Sequence, residues 1–287
     1  MPHEPQTAIL LIDCPDKKGL VATIANFLYT YNANILHADQ HQDHDKQLFL
    51  MRIEWDLDGF TLDEGAFRAA FAPIATQNGM NWRLEYSSTK TRVAIFCSKM
   101  DHCVADLLYR HRAGALRCDI ALVASNHPDC KPLADFYGIP FHQFAVTPEN
   151  KPQVEQQQID LCRANAVTLI VLARYMQILS PAFVQAYPSQ IINVHHSFLP
   201  AFIGAKPYQR AFDRGVKLIG ATSHYVTQDL DEGPIIEQDV MRVSHRDSLE
   251  RMVERGKDLE KRVLARAVEW HTEHKILLYN RKTVIFD

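Results

Sequence analysis

Beyond residue 90 the chain is paced by short apolar runs at 92–97, 120–124, 167–172 and 190–194, and between them 102–114, 131–137 and 152–165 carry helical spacing. A chain alternating strand and helix in units of this size has few ways to bury its apolar faces. The alternation predicts a doubly wound, mostly parallel sheet covered on both faces, with right-handed crossovers. It continues through a helix at 206–214 and strands at 218–226 and 234–243. A long helix follows, with Leu249, Met252, Val253, Leu259, Val263, Leu264, Ala267 and Val268 on its apolar side and Asp247 placed to cap it. Strands at 276–279 and 283–286 close the chain as a hairpin across Asn280-Arg281-Lys282.

Ahead of the polar stretch Ser87-Ser88-Thr89-Lys90 the rhythm differs. The run Ala8-Ile9-Leu10-Leu11-Ile12 reads as a central strand closed by Asp13-Cys14-Pro15-Asp16. Leu20, Ile24, Phe27, Leu28 and Tyr31 then recur at helical spacing. Segments 35–42 and 47–55 read as a hairpin, 61–77 as a second helix, and Met80, Trp82, Leu84 and Tyr86 alternate as a fourth strand. The order is βαββαβ, ferredoxin-like, a fold that hosts many functions and by itself licenses none. The expected organisation is thus a ferredoxin-like domain over 1–86, a linker over 87–90 and a doubly wound α/β domain over 91–287. A chain of 287 residues is long for one domain, which agrees with two.

A formal net charge of -3 gives no electrostatic reason to expect nucleic acid or an anionic membrane as partner. Six cysteines are scattered without a Cys-x-x-Cys, several of them in apolar runs, which suits free thiols in a reducing cytosol. The start, with Pro2, His3, Glu4 and Pro5, lacks the basic residues and long apolar core of a signal peptide, and no stretch approaches the length of a membrane helix.

The chemistry-bearing stretch is Asn193-Val194-His195-His196-Ser197-Phe198-Leu199-Pro200, at the end of the apolar run at 190–194. Alternation along a strand places Asn193 and His195 on one side and Val194 and His196 on the other. An amide donor and an imidazole on one side make half of a site for acyl chemistry. The other half lies in His224-Tyr225-Val226-Thr227-Gln228-Asp229-Leu230-Asp231-Glu232-Gly233-Pro234, where a strand delivers His224 and a carboxylate-rich loop turns sharply at Gly233-Pro234. Asp231 completes a trio with Asn193 and His195. A zinc site is the weaker reading, because adjacent His195 and His196 should face opposite ways and no His-x-x-His or Cys pairing supports it.

These two stretches, together with Ala173-Arg174-Tyr175-Met176-Gln177-Ile178-Leu179-Ser180, closely resemble the folate-dependent formyltransferase and deformylase superfamily over about residues 90–287. The resemblance implies that Asn193, His195 and Asp231 are catalytic, and that Met176, Gln177, Ile178 and Leu179 with Val226 and Thr227 hold the pterin of a reduced folate. His196, Ser197 and Lys206 are placed to shape the entrance. Within the superfamily, Cys97-Ser98-Lys99-Met100-Asp101-His102-Cys103 and Gln177 look like the formyltetrahydrofolate deformylase branch. The transferases that formylate a phosphorylated ribonucleotide amine instead carry a Gly-rich phosphate loop after the first strand. The N-terminal domain resembles the ACT family through Asp16-Lys17-Lys18-Gly19-Leu20 and Asn34, which implies an amino-acid effector held by Asp16, Gly19 and Asn34, methionine or glycine being the candidates.

The function so implied is hydrolysis of 10-formyltetrahydrofolate to tetrahydrofolate and formate, serving one-carbon balance and purine biosynthesis. Asn193 and His195 would stabilise the oxyanion and Asp231 would act as general base. The folate is substrate rather than retained cofactor, and no metal is required. Paired ACT-like sheets imply a homodimer or homotetramer. Two other readings remain: a formyltransferase to another amine, which would keep Asn193, His195 and Asp231, and a non-catalytic amino-acid sensor, which would use the Asp16 to Asn34 region and against which the intact trio argues.

Overall fold

The computed structural model describes residues 6–200 and 207–287, and they fall into two compact units, Met1–Thr89 with Glu273–Asp287 and Lys90–Thr272. The first unit begins β1 (Thr7–Pro15), α1 (Leu20–Thr30), β2 (Asn34–Asp43), β3 (Leu48–Asp56), α2 (Glu64–Asn78) and β4 (Asn81–Tyr86). This is the predicted βαββαβ order. The strands pair antiparallel in the order β2-β3-β1-β4. β1 is therefore central and buried on both faces, which is why it reads as an unbroken apolar run rather than an alternating one. Ala8, Leu10 and Ile12 pack with Leu20, Ile24, Phe67 and Phe71 of the two helices. The α2 helix starts at Glu64 rather than near 61 because the Asp63 side chain accepts from the Ala66 amide at 2.8 Å.

The second unit runs β5 (Thr91–Cys97), α3 (His102–Arg112), β6 (Cys118–Ser125), α4 (Lys131–Tyr137), β7 (Phe141–Gln143), α5 (Lys151–Ala164), β8 (Leu169–Ala173), α6 (Pro181–Ala186), β9 (Ile191–His195), α7 (Pro207–Arg214), β10 (Leu218–Tyr225), β11 (Ile235–Arg242) and α8 (Leu249–Thr272). Residue 206, expected to open α7, lies outside the described residues. The strands form one seven-stranded sheet ordered β11-β10-β9-β8-β5-β6-β7. Ladders from β7 across to β9 are parallel, and β10 runs antiparallel to both β9 and β11. The expected doubly wound, mostly parallel sheet is present. β7 and α6, of three and six residues, are too short to show a periodicity and were not anticipated. Asp247 does not cap α8. Its carboxylate accepts from the Ser244 amide at 2.8 Å, while the Ser248 hydroxyl accepts from the Arg251 amide at 3.3 Å and takes the capping place.

Strand order reverses between β5 and β8: from β5 the chain moves outward through β6 and β7, then returns to lay down β8, β9, β10 and β11 on the other side. Loops that leave the two neighbouring strands at such a switch point diverge to opposite faces and open a crevice between them. The loop after β5 and the loop after β8 meet there, where Ser98 Oγ accepts from the Met176 amide at 2.9 Å and donates to Asn126 Oδ1 at 2.6 Å.

The terminal hairpin, β12 (Ile276–Tyr279) and β13 (Lys282–Ile285), turns at Asn280 with φ 52. The sequence reading placed it in the catalytic domain, 91–287. The contacts correct that boundary, because Leu277 and Phe286 pack on Ile9, Leu11 and Leu50, the face of the first sheet turned away from its helices. Arg52 Nε reaches the His274 carbonyl at 3.1 Å and Arg83 the Ile276 carbonyl at 3.4 Å. An apolar face on β1 needs a cover, and the last fifteen or so residues supply it. Leu277→Ala is expected to destabilise the first unit by about 2–5 kcal/mol, read as a lower urea midpoint in the fluorescence of Trp55 and Trp82.

Candidate active site

The register of β9 against β10 sets Asn193 opposite His224 and His195 opposite Thr222. Asn193 and His195, two apart on β9, share a face. The loop joining β10 to β11 returns across that face. It delivers Asp231 Oδ2 to 3.2 Å from His195 Nδ1 and Oδ1 to 3.7 Å from His224 Nε2. Asn193 Nδ2 lies 3.2 Å from His224 Nε2. The three residues expected to converge do so, and His224 joins them. The tight return explains two local features. Asp231 takes a left-handed backbone, φ 57, and a Cβ at Gly233 would collide with the Tyr225 carbonyl oxygen, so only glycine fits.

His195 and His224 are 6% and 2% exposed. Burial pushes the Asp231 carboxyl up, but the hydrogen bonds and charges of His195 and His224 outweigh it and hold it well below the usual carboxylate range. It is therefore ionised at neutral pH. His224 Nδ1 donates to the Tyr225 carbonyl at 2.9 Å, which leaves Nε2 between the Asn193 amide and Asp231 Oδ1. His224 thus borders both the amide and the carboxylate and holds them on one face. His195 Nε2 is buried and has no partner among the described residues. With Nδ1 on Asp231, Nε2 is the edge of the ring left open to a ligand.

The segments expected to hold the pterin lie on the loops after β8 and β10. Leu179 and Val226 both pack against the core around Phe96, Tyr175 and Phe183, while Met176 and Ile178 are 60% and 62% exposed. Gln177 is half-buried beside them, and Thr227 hydroxyl donates to the Asp229 carbonyl at 3.1 Å. Glu155 accepts from the Ser180 amide at 3.1 Å and Lys151 donates to the Ile178 carbonyl, so α5 braces the first of these loops. Exposed apolar side chains on a braced loop at a switch point suit the face of a flat ring.

His196 departs from expectation. Its ring lies 5.2 Å from that of His195, tilted by 31°, instead of facing the other way, because β9 ends at His195 and strict alternation ends with it. Ser197 is buried, its carbonyl accepting from Thr222 Oγ1 at 2.9 Å, and Lys206 lies outside the described residues. Beyond His196 stands a group that sequence reasoning missed. Glu260 of α8, 1% exposed, accepts from Tyr208 hydroxyl at 2.7 Å, pairs with His102 Nε2 at 2.7 Å and has Arg174 Nε at 3.6 Å. A charged residue on the helix's apolar stripe, one position after Leu259, was the available signal. Ligand atoms of His102, Cys103 and Glu260 lie within 4.8 Å of one another, a spacing a metal ion accepts. Both Glu260 oxygens are already engaged, a guanidinium stands beside one, and burial pushes the Cys103 thiol well up, so the group is a poor fit for a cation.

In the first unit, an open cavity of about 490 Å³ is lined by Asp16, Gly19, Gln40, Gln42 and Phe49 among others. Gly19, at φ 92, precedes α1, whose first-turn amides have no side-chain cap. Gln42 Nε2 lies 3.3 Å from Asp16. Asp16 and Gly19 are at the cavity as expected. Asn34 is not among its lining residues: α1 separates it from Gly19 by roughly 16 Å, and along β2 it is roughly 27 Å from Gln42. All six cysteines are free and buried, and among the described residues no helix is long and apolar enough to cross a membrane.

Comparison with known proteins agrees with this division. The family model described as Formyl transferase matches residues 91–268 and the ACT domain model matches residues 8–72. The chain is 52% identical to a formyltetrahydrofolate deformylase of Synechocystis sp., covering 98% of each chain, and 48% identical to one of Bacillus subtilis, covering 97% of this chain and 93% of that one. A crystal structure of a formyltetrahydrofolate deformylase from Pseudomonas syringae pv. tomato superposes with TM-score 0.97 at 48% identity, over 100% of this chain and 96% of that one. A glycinamide ribonucleotide transformylase from Symbiobacterium toebii superposes with TM-score 0.66 at 27% identity, over 71% of this chain and 98% of that one.

The depressed Asp231 has a consequence for stability. A carboxyl held low in the folded state stabilises above its unfolded value, about 3.9, and that contribution fades as pH falls from there toward the folded value. Asp231→Asn should therefore melt below the parent protein at pH 6, with the gap narrowing as pH drops under about 4, in melting curves collected across that range.

Proposed function

The chain belongs to the formyltetrahydrofolate deformylase family, and from that premise we propose that it hydrolyses 10-formyltetrahydrofolate to tetrahydrofolate and formate at the Asn193, His195 and Asp231 site. The observation that carries the assignment of residues is the His195 Nδ1 to Asp231 contact at 3.2 Å, with the Asn193 amide turned toward the same face by His224.

The folate lies with its pterin against Met176, Gln177, Ile178 and Leu179 and against Val226 and Thr227, which brings the N10 formyl group over β9. Water attacks the formyl carbon, forming the new C–O bond while its proton passes to Asp231. The carbonyl electrons move to oxygen, where the Asn193 N–H and the Nε2–H of protonated His195 hold the charge in a site that excludes bulk water. In the resting site the Asp231 carboxylate is weakly basic, since two imidazoles hold its charge. As the oxyanion forms, it draws His195 toward itself, and Asp231 regains basicity when the water proton needs an acceptor. Collapse breaks the C–N10 bond, the nitrogen takes up the proton relayed by the same pair, and the formic acid so formed gives its remaining proton to solvent and leaves as formate. The folate is consumed as substrate rather than retained as a cofactor, and the roles given to Asn193, His195 and Asp231 call for no metal. The formate supplies purine biosynthesis and the reaction balances one-carbon pools in the cytoplasm.

The ACT domain points to an amino-acid effector, and we assign methionine or glycine to the cavity beside Asp16 and Gly19, where an α-carboxylate would meet the uncapped amides of α1. The working form is a homodimer or homotetramer. An amine-dependent transferase would keep the same trio, and a pure sensor would turn nothing over.

Incubating the protein with 10-formyltetrahydrofolate and no amine should release formate in step with tetrahydrofolate; no formate until an amine is added would favour the transferase. Asn193→Ala should lower kcat by roughly 100- to 1000-fold in the same assay. Titration calorimetry with methionine and with glycine should give a binding heat for one of them that Asp16→Ala removes, whereas heat from neither would leave the cavity without an amino-acid role.

A further inference from the structure

The Glu260 group lies outside the reaction as described, yet three independent features of the fold converge on it. The first is the carboxylate itself, enclosed by protein and 1% exposed. Isolating an anion from water is unfavourable unless partners surround it, and replacing such a group by a well-packed apolar one often stabilises a protein. Here the partners come from separate elements: His102 from α3, Arg174 from the loop after β8, and Tyr208 from α7. Burial alone would push the Glu260 carboxyl up, but these three hold it below the ordinary glutamate value.

The second feature is Gly256. It sits inside the 24-residue helix α8, one turn before Glu260, where glycine weakens a helix relative to alanine. A Cβ at 256 would overlap the Tyr208 hydroxyl and ring. The glycine is what lets Tyr208 lie against α8 and reach Glu260 Oε1. The third feature is Arg174, which holds a left-handed backbone at φ 62 that non-glycine residues rarely adopt, and by doing so brings its guanidinium beside the carboxylate. Backbone strain, a helix-interior glycine and a buried charge all disfavour the folded state, and together at one place they point to a function.

From Glu260 an unbroken series of contacts leads to the reacting centre. Tyr208 donates its hydroxyl proton to Glu260, and its ring stands 6.0 Å from that of His196, tilted by 39°. The His196 ring in turn stands 5.2 Å from His195. His195 is then gripped at Nδ1 by Asp231. Asp231 fixes one edge of the imidazole and cannot alone stop rotation about that contact. A ring packed against its face can. Burial, with the Arg174 guanidinium second, pushes His196 down to about 4, so this second imidazole stays uncharged and does not compete with His195 for a proton.

Resting on the deformylase reading, we propose that Glu260 and Tyr208 are positioning residues, which hold His196 against His195 and so keep Nε2 of His195 aimed at the formyl oxygen. Tyr208 carries the contact, Glu260 anchors Tyr208, and Gly256 makes the space. None of them touches the substrate. Their effect should fall on the turnover step and leave folate binding nearly unchanged, since misaiming a donor matters most when charge appears on oxygen.

The test uses the full chain with 10-formyltetrahydrofolate. Tyr208→Phe, which keeps the ring and loses the anchor, and Gly256→Ala, which displaces the ring while favouring the helix, should each lower kcat on the order of ten- to a hundredfold, with KM within about twofold. Glu260→Gln, which retains the volume, should act in the same direction. Val268→Ala, a buried site further along α8, serves as the control: it should melt at a lower temperature and keep wild-type kcat. Wild-type kcat in folded Tyr208→Phe and Gly256→Ala would overturn the proposal. So would losses of kcat that match Val268→Ala at equal loss of melting temperature, or a rise in KM with kcat intact. A parent protein that releases no formate would instead sink the deformylase reading before any variant is made, so the two failures are distinguishable.

Discussion

The antiparallel ladder between β9 and β10 is the constraint on which the site depends. Along the parallel part of the sheet, the residues that follow a strand depart over a helix and arrive far from it. Reversing β10 against β9 allows the next loop to fold straight back over the strand that carries Asn193 and His195. It can do so only with a sharp turn, hence Gly233 against the Tyr225 carbonyl and the left-handed Asp231. A left-handed aspartate disfavours the fold by about 1–2 kcal/mol. What offsets that here is the pairing of its carboxylate with two imidazoles, and the same contact aims His195.

How far the amino-acid sequence alone reveals this structure differs from element to element. Strands buried on both faces are legible as unbroken apolar runs, which is why β1, β5, β8 and β9 stand out. The exposed edge strand β2 was found through the turn that follows it rather than through apolarity. The terminal hairpin was legible as a hairpin, but which sheet it covers depends on Ile9 and Leu11 needing a second layer, a demand made more than 260 residues earlier. The site shows the same split. Residue types and their order singled out Asn193, His195 and Asp231, which the structure brings to one place, whereas the register that sets His224 beside Asn193 is a property of strand pairing and leaves no mark in a local pattern. His196 was expected to turn away because a strand was assumed to continue, and the chain leaves the extended conformation one residue sooner. Asn34 was expected at the effector cavity because it follows α1, but following a helix means lying at its far end.

The two carboxylates of the catalytic unit show how environment divides labour between like groups. Asp231 and Glu260 each lie among cationic or donor side chains and each is held ionised. Asp231 sits on a loop beside an imidazole whose other nitrogen is unclaimed, so its neighbours can redistribute charge when a substrate arrives. Glu260 sits mid-helix with both oxygens engaged and the helix backbone fixed around it. The first is placed to respond and the second to stay still, which suits the general base and the anchor proposed for them.

An unclaimed nitrogen completes that picture. His195 Nε2 is buried without a hydrogen-bond partner among the described residues. A neutral formamide oxygen gives little in return for desolvating such a donor, while an oxygen acquiring a full charge gives roughly twice the hydrogen-bond strength. In the mechanism proposed above, His195 Nε2, unpaired in the resting site, would therefore interact more strongly with the tetrahedral intermediate than with the bound formyl group. Interactions that strengthen only as charge develops lower the barrier rather than deepen the ground state.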